Sequence, residues 1–284
     1  MNRALARHGR RASTLRLLGA GLDHAAFEVD GELIVRVSGD DDGGQVDREA
    51  RLLHAVAAVS PLPVPVPLFA EPDLGCLAYR ALPGRRLIDV DDASQLAVPV
   101  GSAVGNLLAV LHRQPAEQFA GLLDEDTTPL SEWLVEAREM YPGVRAAIPD
   151  GHRTAVEAFL AHDPPADPAA TVPAHNDLGI EHVLVDATGR VSGVIDWSDA
   201  ALTDPARDLA LLYRDLGPAA LAAALETYGQ VGEEVRRRVE FYARCGALED
   251  LGYGIDTGST PYVTKTLRAL AWLFPAATRP APVA

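Results

Sequence analysis

The chain has 284 residues, 48% of them hydrophobic, enough to bury a sizeable core in one large domain or two lobes and too apolar for a disordered or fibrous protein. Its 25 basic and 40 acidic residues leave a formal charge of −15 at pH 7, which argues against a nucleic-acid partner, since a phosphate backbone needs an electropositive face. A cationic or neutral small partner fits this charge better.

The N-terminus carries Arg3, Arg7, Arg10 and Arg11, but the apolar stretch at residues 15–22 is short and broken by glycine, so neither a signal core nor a membrane span is expected. Residues 26–29 and 32–37 read as a hairpin around Asp30-Gly31, with Leu33, Val35 and Val37 alternating with Ile34 and Arg36. Over residues 46–59 the apolar positions Leu52, Leu53, Val56 and Val59 recur at helical spacing. The run SPLPVPVPLFAEP is extended and cannot be a central strand, because each proline lacks a ladder donor. A strand follows at residues 76–79, and Pro83-Gly84 then marks a hinge. Residues 1–81 therefore read as a small β-rich lobe and residues 82–284 as a larger, mainly helical one.

In the second lobe, residues 94–112, 131–140 and 152–162 have helical spacing. One β insertion interrupts them, with strands at residues 182–186 and 191–197 joined by a turn at residues 187–190. Thr203-Asp204-Pro205 then starts a helix through Tyr213, Asp204 reading as N-cap with proline at the first helical position. Helices continue to about Phe274 with a polar break at residues 256–261, and the tail RPAPVA reads as loose. There is no internal repeat. Cys76 and Cys245 lie far apart and without metal-ligand spacing, which excludes a disulfide framework or zinc ribbon and points to a reducing, cytoplasmic compartment.

The chemistry concentrates in AHNDLGIEHVLVD, residues 174–186. A zinc-protease helix needs two histidines four apart with Glu between, whereas His175 and His182 are seven apart across a glycine. No GxSxG elbow, Walker loop or GxGxxG is present. Instead Asp177 sits on a loop, His182 opens one strand and Asp196 closes the next, so a hairpin brings three potential ligands and bases to one end; the register stays open at this level. His175 reads as a brace for the loop, Asp208 as its anchor from the following helix, and Trp197 as core.

HNDLGIEH, followed by GVIDWSDAALTDPARDLA, resembles the catalytic core of the antibiotic kinases, the aminoglycoside and macrolide phosphotransferases, which share the protein-kinase fold. Weaker similarity extends to LDHAAFEVDGELIVRV, like the family's nucleotide-lid hairpin, and to REARLL, YRALPG and LAVLHRQP. The resemblance implies an α+β, bilobal kinase-like fold and transfer of the γ-phosphate of ATP or GTP to a hydroxyl of a small-molecule acceptor.

By that resemblance Asp177 accepts the acceptor's proton, while His182 and Asp196 hold a divalent metal. Arg36 takes the place of the usual phosphate-binding lysine, with Glu49 as its partner, and Tyr79 to Ala81 form the hinge that reads the base. The chain has one lysine, Lys265, far from that position. His182 stands where protein kinases carry Asn, and since imidazole nitrogen suits manganese better than it suits magnesium, Mn2+ is expected to substitute for Mg2+.

The acceptor pocket is expected beside Asp177, walled by Asp199, Tyr213, Glu249, Asp250, Tyr253 and Asp256. Those carboxylates suit a polycationic aminoglycoside, while Leu251, Tyr253 and Trp272 suit an apolar macrolide, and a nucleoside or sugar antibiotic stays open. A metabolic kinase for a sugar or amino alcohol is the alternative, and a catalytically idle kinase-like module the third reading. No nucleic-acid or membrane partner is expected, and the chain is expected to be a monomer or weak dimer.

Overall fold

The computed structural model describes residues 1–20, 24–38 and 43–276. Leu22 and Asp23 of the hairpin run, and the RPAPVA tail, lie outside the described residues.

A short helix α1 (Asn2–Arg7) precedes β1 (Leu15–Ala20), β2 (His24–Val29) and β3 (Leu33–Ser38). The β2–β3 turn puts Asp30 at φ 54° and Gly31 at φ 71°, two successive left-handed residues of the kind that tight hairpins need. The Asp30 carboxylate also accepts from the backbone N–H of Ser13 and Thr14, which fixes the entry to β1. Helix α2 (Gly43–Val59) then crosses to β4 (Pro67–Glu71) and β5 (Cys76–Arg80). The sheet order is β1-β2-β3-β5-β4, all neighbours antiparallel. The proline-rich segment thus supplies an edge strand, where a missing donor costs nothing. Strand β1 adds a fifth strand beyond the expected hairpin; its Leu15 and Leu17 are exposed, so no buried alternation announces it.

The linker after β5 passes close over the second lobe. A short β6 (Arg85–Arg86) pairs with β9 (Val183–Val185), which pairs antiparallel with β10 (Val191–Val194). At Gly84 (φ 116°) a Cβ would sit 2.3 Å from Ser192 Oγ and 2.7 Å from the Val185 carbonyl, so only glycine lets the linker cross here. Ser192 donates to the Pro83 carbonyl at 2.6 Å.

The rest is mainly helical: α3 (Ala97–Leu111), α4 (Leu130–Val144), α5 (Asp150–Ala161), α6 (Ala206–Tyr228), α7 (Glu233–Asp256) and α8 (Thr260–Leu273). A second small sheet, β7 (Asp124–Glu125), β11 (Ala201–Thr203) and β8 (Val172–Ala174) in the order β7-β11-β8, was not expected; strands of two or three residues carry no readable period. Helix α6 runs well past Tyr213, with a break at Gly217 (φ 81°) against which Trp272 packs.

Residues 93–111 are long and apolar enough to cross a membrane by length and composition. They form the core instead. Val100, Val104, Leu107 and Leu108 are almost fully buried, and Gly101 and Gly105 let α3 lie directly on Ala220 and Ala224 of α6. A Cβ at Gly101 would stand 2.3 Å from the Ala220 carbonyl oxygen. Side chains there would force the two helices apart, and overpacking of this kind costs about 1–3 kcal/mol.

Candidate active site

The loop between β8 and β9 is held from beneath by Asp208, on the first turn of α6. Its fully buried carboxylate accepts from the N–H of His175 (3.0 Å) and Asn176 (2.8 Å) and from His112 Nε2 (3.1 Å). Burial works against its charge, yet these donors keep its pKa below the ordinary value. Asn176 can then take a left-handed φ of 71° and turn the chain into Asp177. Asp204 accepts from Ala206 N (3.0 Å) at the start of α6 and also pairs with Arg238 of α7 (2.6 Å), which ties the two helices together.

The two histidines take different roles. His175 is fully buried; its Nε2–H donates to the Ile195 carbonyl (3.0 Å) and its Nδ1 accepts from Asp177 N (3.3 Å). The contact to Nδ1 requires the neutral ring, and burial lowers its pKa accordingly. Trp197, also buried, packs its ring 4.5 Å from His175. His182 donates Nδ1–H to the Asp177 carbonyl (2.7 Å), so its Nε2 lone pair faces outward, 3.6 Å from Asp196 Oδ2. Burial disfavours its cation, but Asp177, Glu181 and Asp196 outweigh this and raise its pKa.

Asp196 has φ 63°, a strained backbone that turns its carboxylate toward His182 and across to the first lobe. There Arg36 Nη1 lies 3.5 Å from Asp196 Oδ1 and 2.8 Å from Glu49 Oε1 on α2. Burial and the charge of Asp196 raise the Glu49 pKa against the pull of Arg36. Tyr79, buried in β5, points into the same group, where burial pushes its hydroxyl up to about 12. Ala81 donates its N–H to the Glu32 carbonyl at 2.8 Å, so that group is committed to the sheet and cannot serve a nucleotide base.

The donor set suits a divalent cation. Two cis ligands on an ion with ~2.1 Å bonds sit about 3 Å apart, close to the spacing of His182 Nε2 and Asp196 Oδ2. Among the described residues no cluster of three or more His, Cys, Asp or Glu forms a complete cage. Two protein ligands, with substrate phosphates and water completing the shell, is the usual arrangement for magnesium.

The phosphotransferase enzyme family matches residues 14–242. The chain belongs to that family. It is 30% identical over 191 residues to viomycin phosphotransferase from Streptomyces vinaceus, and 38% identical over 66 residues to the uncharacterized protein YcbJ of Bacillus subtilis. These matches span 64% of this chain and 64% of the former, and 23% of this chain and 22% of the latter, so the chain covers less than two thirds of either relative. Among solved structures, a macrolide 2'-phosphotransferase type I aligns over 98% of this chain and 96% of its own at TM-score 0.64 and 25% identity. A macrolide 2'-phosphotransferase from Brachybacterium faecium aligns over 95% and 97% at TM-score 0.63 and 26% identity. The GDP complex of an aminoglycoside 2'-phosphotransferase, 19% identical, shares the fold over 92% of each chain at TM-score 0.66. The mixed α+β fold, with a β-rich N-terminal sheet and a helical C-terminal part, is that of kinase-like phosphotransferases.

The six residues expected to wall the family's acceptor pocket separate in space. Asp199 and Glu249 face Asp177: desolvation by their surroundings, and then the Asp177 charge, raise both pKa values. Tyr253 is half exposed and packs edge-on against Tyr262, 4.7 Å between rings, and Tyr262 senses the Asp177 charge. Asp256 ends α7 in solvent. Tyr213 instead sits among Glu240 and Arg244, and Asp250 is buried in an ion-pair cluster with Arg214 and Lys265. Leu251 is core.

Sequence reasoning missed Glu136 on α4, which adds to the charge around Glu249. It also missed Arg207, bound to Asp126 and stacked 4.6 Å over the Trp133 ring. Neither had a local signal, because Glu136 meets α7, and Arg207 meets Asp126 and Trp133, only through tertiary packing.

Proposed function

We propose that the protein transfers the γ-phosphoryl group of ATP or GTP to a hydroxyl of a cationic small-molecule antibiotic. The observation that carries this reading is the convergence of Asp177, His182 and Asp196: Asp177 Oδ2 lies 3.4 Å from His182 Nδ1, and Asp196 Oδ2 lies 3.6 Å from His182 Nε2. The acceptor oxygen attacks the γ-phosphorus, the bond to the β–γ bridging oxygen breaks, and the nucleoside diphosphate leaves. Asp177 takes the proton of the attacking hydroxyl. Arg36, held by Glu49, grips the triphosphate, its planar fork replacing a lysine ammonium. His182 and Asp196 hold Mg2+, or Mn2+, which when bound neutralises phosphate charge.

The nature of the acceptor follows from excess negative charge. Asp199 and Glu249 lie within range of the Asp177 charge, and Glu136 adds to it at Glu249; desolvation first, and then this like charge, raises the pKa values of Asp199 and Glu249, and a bound cation relieves the like-charge part. Tyr253 and Tyr262 offer an aromatic wall on the same side. The relatives' names give viomycin, macrolides and aminoglycosides as the first acceptors to try.

The test is a nucleotide-consumption screen of these antibiotics with ATP and GTP, each with Mg2+ and Mn2+. Turnover with at least one cationic antibiotic is expected, and Asp177→Asn is expected to lower kcat by a factor of about 10³ or more while nucleotide affinity stays within about threefold. Unchanged turnover in that variant would refute the mechanism, and no turnover with any antibiotic would favour a metabolic acceptor.

A further inference from the structure

Packed between the catalytic loop and α6, α7 and α8 lies a group of charges that the proposed reaction does not use. Lys265 of α8 is 4% exposed. Its Nζ reaches Glu181 Oε2 at 2.8 Å and Oε1 at 3.2 Å, Asp250 Oδ2 at 3.0 Å, and Asp215 Oδ2 at 3.4 Å. Arg214 of α6 joins from the other side, to Asp215 at 2.8 Å, Asp250 at 3.1 Å and Glu181 at 3.8 Å. Two cations and three carboxylates from three helices and the loop therefore share one dry volume.

Two members of this group belong to or grip the loop. Glu181 is the residue before His182, and its carboxylate folds back so tightly that a Cβ on Gly179 would stand 2.4 Å from Oε1. Asp215 accepts the N–H of Ile180 at 3.0 Å. His182 in turn closes the loop by donating N–H to the Gly179 carbonyl (3.0 Å) and Nδ1–H to the Asp177 carbonyl. A displacement of Glu181 thus moves both His182 and Asp177. Lys265 and Arg214 both reach the two grips, Lys265 being the nearer to Glu181 (2.8 Å against 3.8 Å) and Arg214 to Asp215, and the Lys265 ammonium also sits 4.6 Å from the centre of the Tyr262 ring on the acceptor side.

We propose that Lys265, the only lysine of the chain, is a positioning residue for the catalytic loop: it fixes Glu181 and Asp215, and through them the placement of Asp177 and His182. The lysine a kinase-like chain would place on the phosphates is absent here, and the one present holds the loop. Burying so many charges is a costly route to stability, since apolar packing of equal volume serves as well or better. Its return is geometry, and a misplacement of about 1 Å at reacting groups can cost about 100-fold in rate.

The proposal rests on the phosphoryl-transfer reading, so the test joins a catalytic and a non-catalytic readout on the full chain. Lys265→Met leaves Glu181 without its closest cation. Glu181→Gln/Lys265→Met removes one charge of each sign and keeps the cluster's net charge, so it recovers folding stability without restoring the tie. In the double variant the thermal midpoint is expected to return near wild type. Its kcat is expected to stay about 30- to 100-fold down with nucleotide KM within about threefold, and the amides of Ile180 and His182 to exchange at least about tenfold faster than wild type.

Recovery of kcat together with the thermal midpoint would show that the ion pair serves stability alone and overturn the proposal, as would wild-type kcat in Lys265→Met. If Lys265→Met does not fold, the double variant decides. If the wild type turns over no acceptor, the phosphoryl-transfer reading fails on its own, and the exchange rates still report whether Lys265 holds the loop: wild-type protection in the double variant overturns the proposal.

Discussion

The catalytic loop has two faces, and their charges are arranged in opposite ways. Behind it, Arg214 and Lys265 answer Glu181, Asp215 and Asp250 at 2.8–3.8 Å, and Asp208 is satisfied by three donors. In front, Asp199 and Glu249 lie within range of the Asp177 charge; desolvation first, and then that charge, raises their pKa values, with Arg214 pulling Glu249 the other way. The back is closely paired and fixes geometry, although two cations meet three carboxylates there and burial pushes Asp250 up to about 6. The front keeps a deficit of positive charge that a substrate and metal can fill. Matched charge marks support, and unmatched charge marks the place where binding energy is available.

The largest effect should come from breaking the closely paired face. Asp208→Ala strips His175 N, Asn176 N and His112 of their common acceptor in a fully buried site. Losses of this kind cost about 3–5 kcal/mol, read as a lower urea midpoint at unchanged m-value. A loss below about 1 kcal/mol would mean that the loop is not held from beneath. The open face should respond in binding rather than in stability. Glu249→Gln is expected to raise the KM for a cationic acceptor about tenfold, or ~1.4 kcal/mol, with kcat nearly unchanged and stability equal to or above wild type. The penalty should shrink in high salt. An unaltered KM would remove Glu249 from the acceptor wall.

The same contrast explains what could be read from the chain alone. Asp177, His182 and Asp196 were legible because a loop, a strand start and a strand end fall within twenty residues, and a hairpin closes them whatever its exact register. The α2 helix was legible from apolar spacing, and Glu49 as the partner of Arg36 only through the family resemblance. The rear cluster was not, since Glu181 meets Lys265 across 84 positions and Ile180 meets Asp215 across 35. Glu249 and Asp250 show the limit most sharply. They are adjacent on α7, about 100° apart around its axis, and one turns toward the cleft while the other is buried. Because α7 carries charged residues on several faces, its sequence gives no phase by which to tell them apart. Only the packing against α6 and α8 decides.

His175 lies between the two faces, and pH separates its contribution from theirs. Its native pKa lies below the ordinary 6.5 because burial excludes the charged ring. Between the native value and 6.5 the unfolded chain therefore holds more protons than the folded one, and stability falls as pH is lowered through that window. Glutamine at this position does not titrate and can keep an amide donor and acceptor near Ile195 and Asp177. His175→Gln should be less stable than wild type by about 1–2 kcal/mol at pH 7, the cost of an imperfect hydrogen-bond fit. The difference should narrow on going to pH 5, by no more than ~1.4 kcal/mol per pH unit, because only the wild type must keep a proton out. Acids remote from the ring are the same in both proteins and cancel, whereas Asp208 and Asp196 feel the His175 charge and carry part of the change. Parallel stability curves between pH 7 and 5 would show that the ring is accepted in its charged form. In that case the boundary between a sealed back and an open front would have to be drawn through the loop rather than behind it.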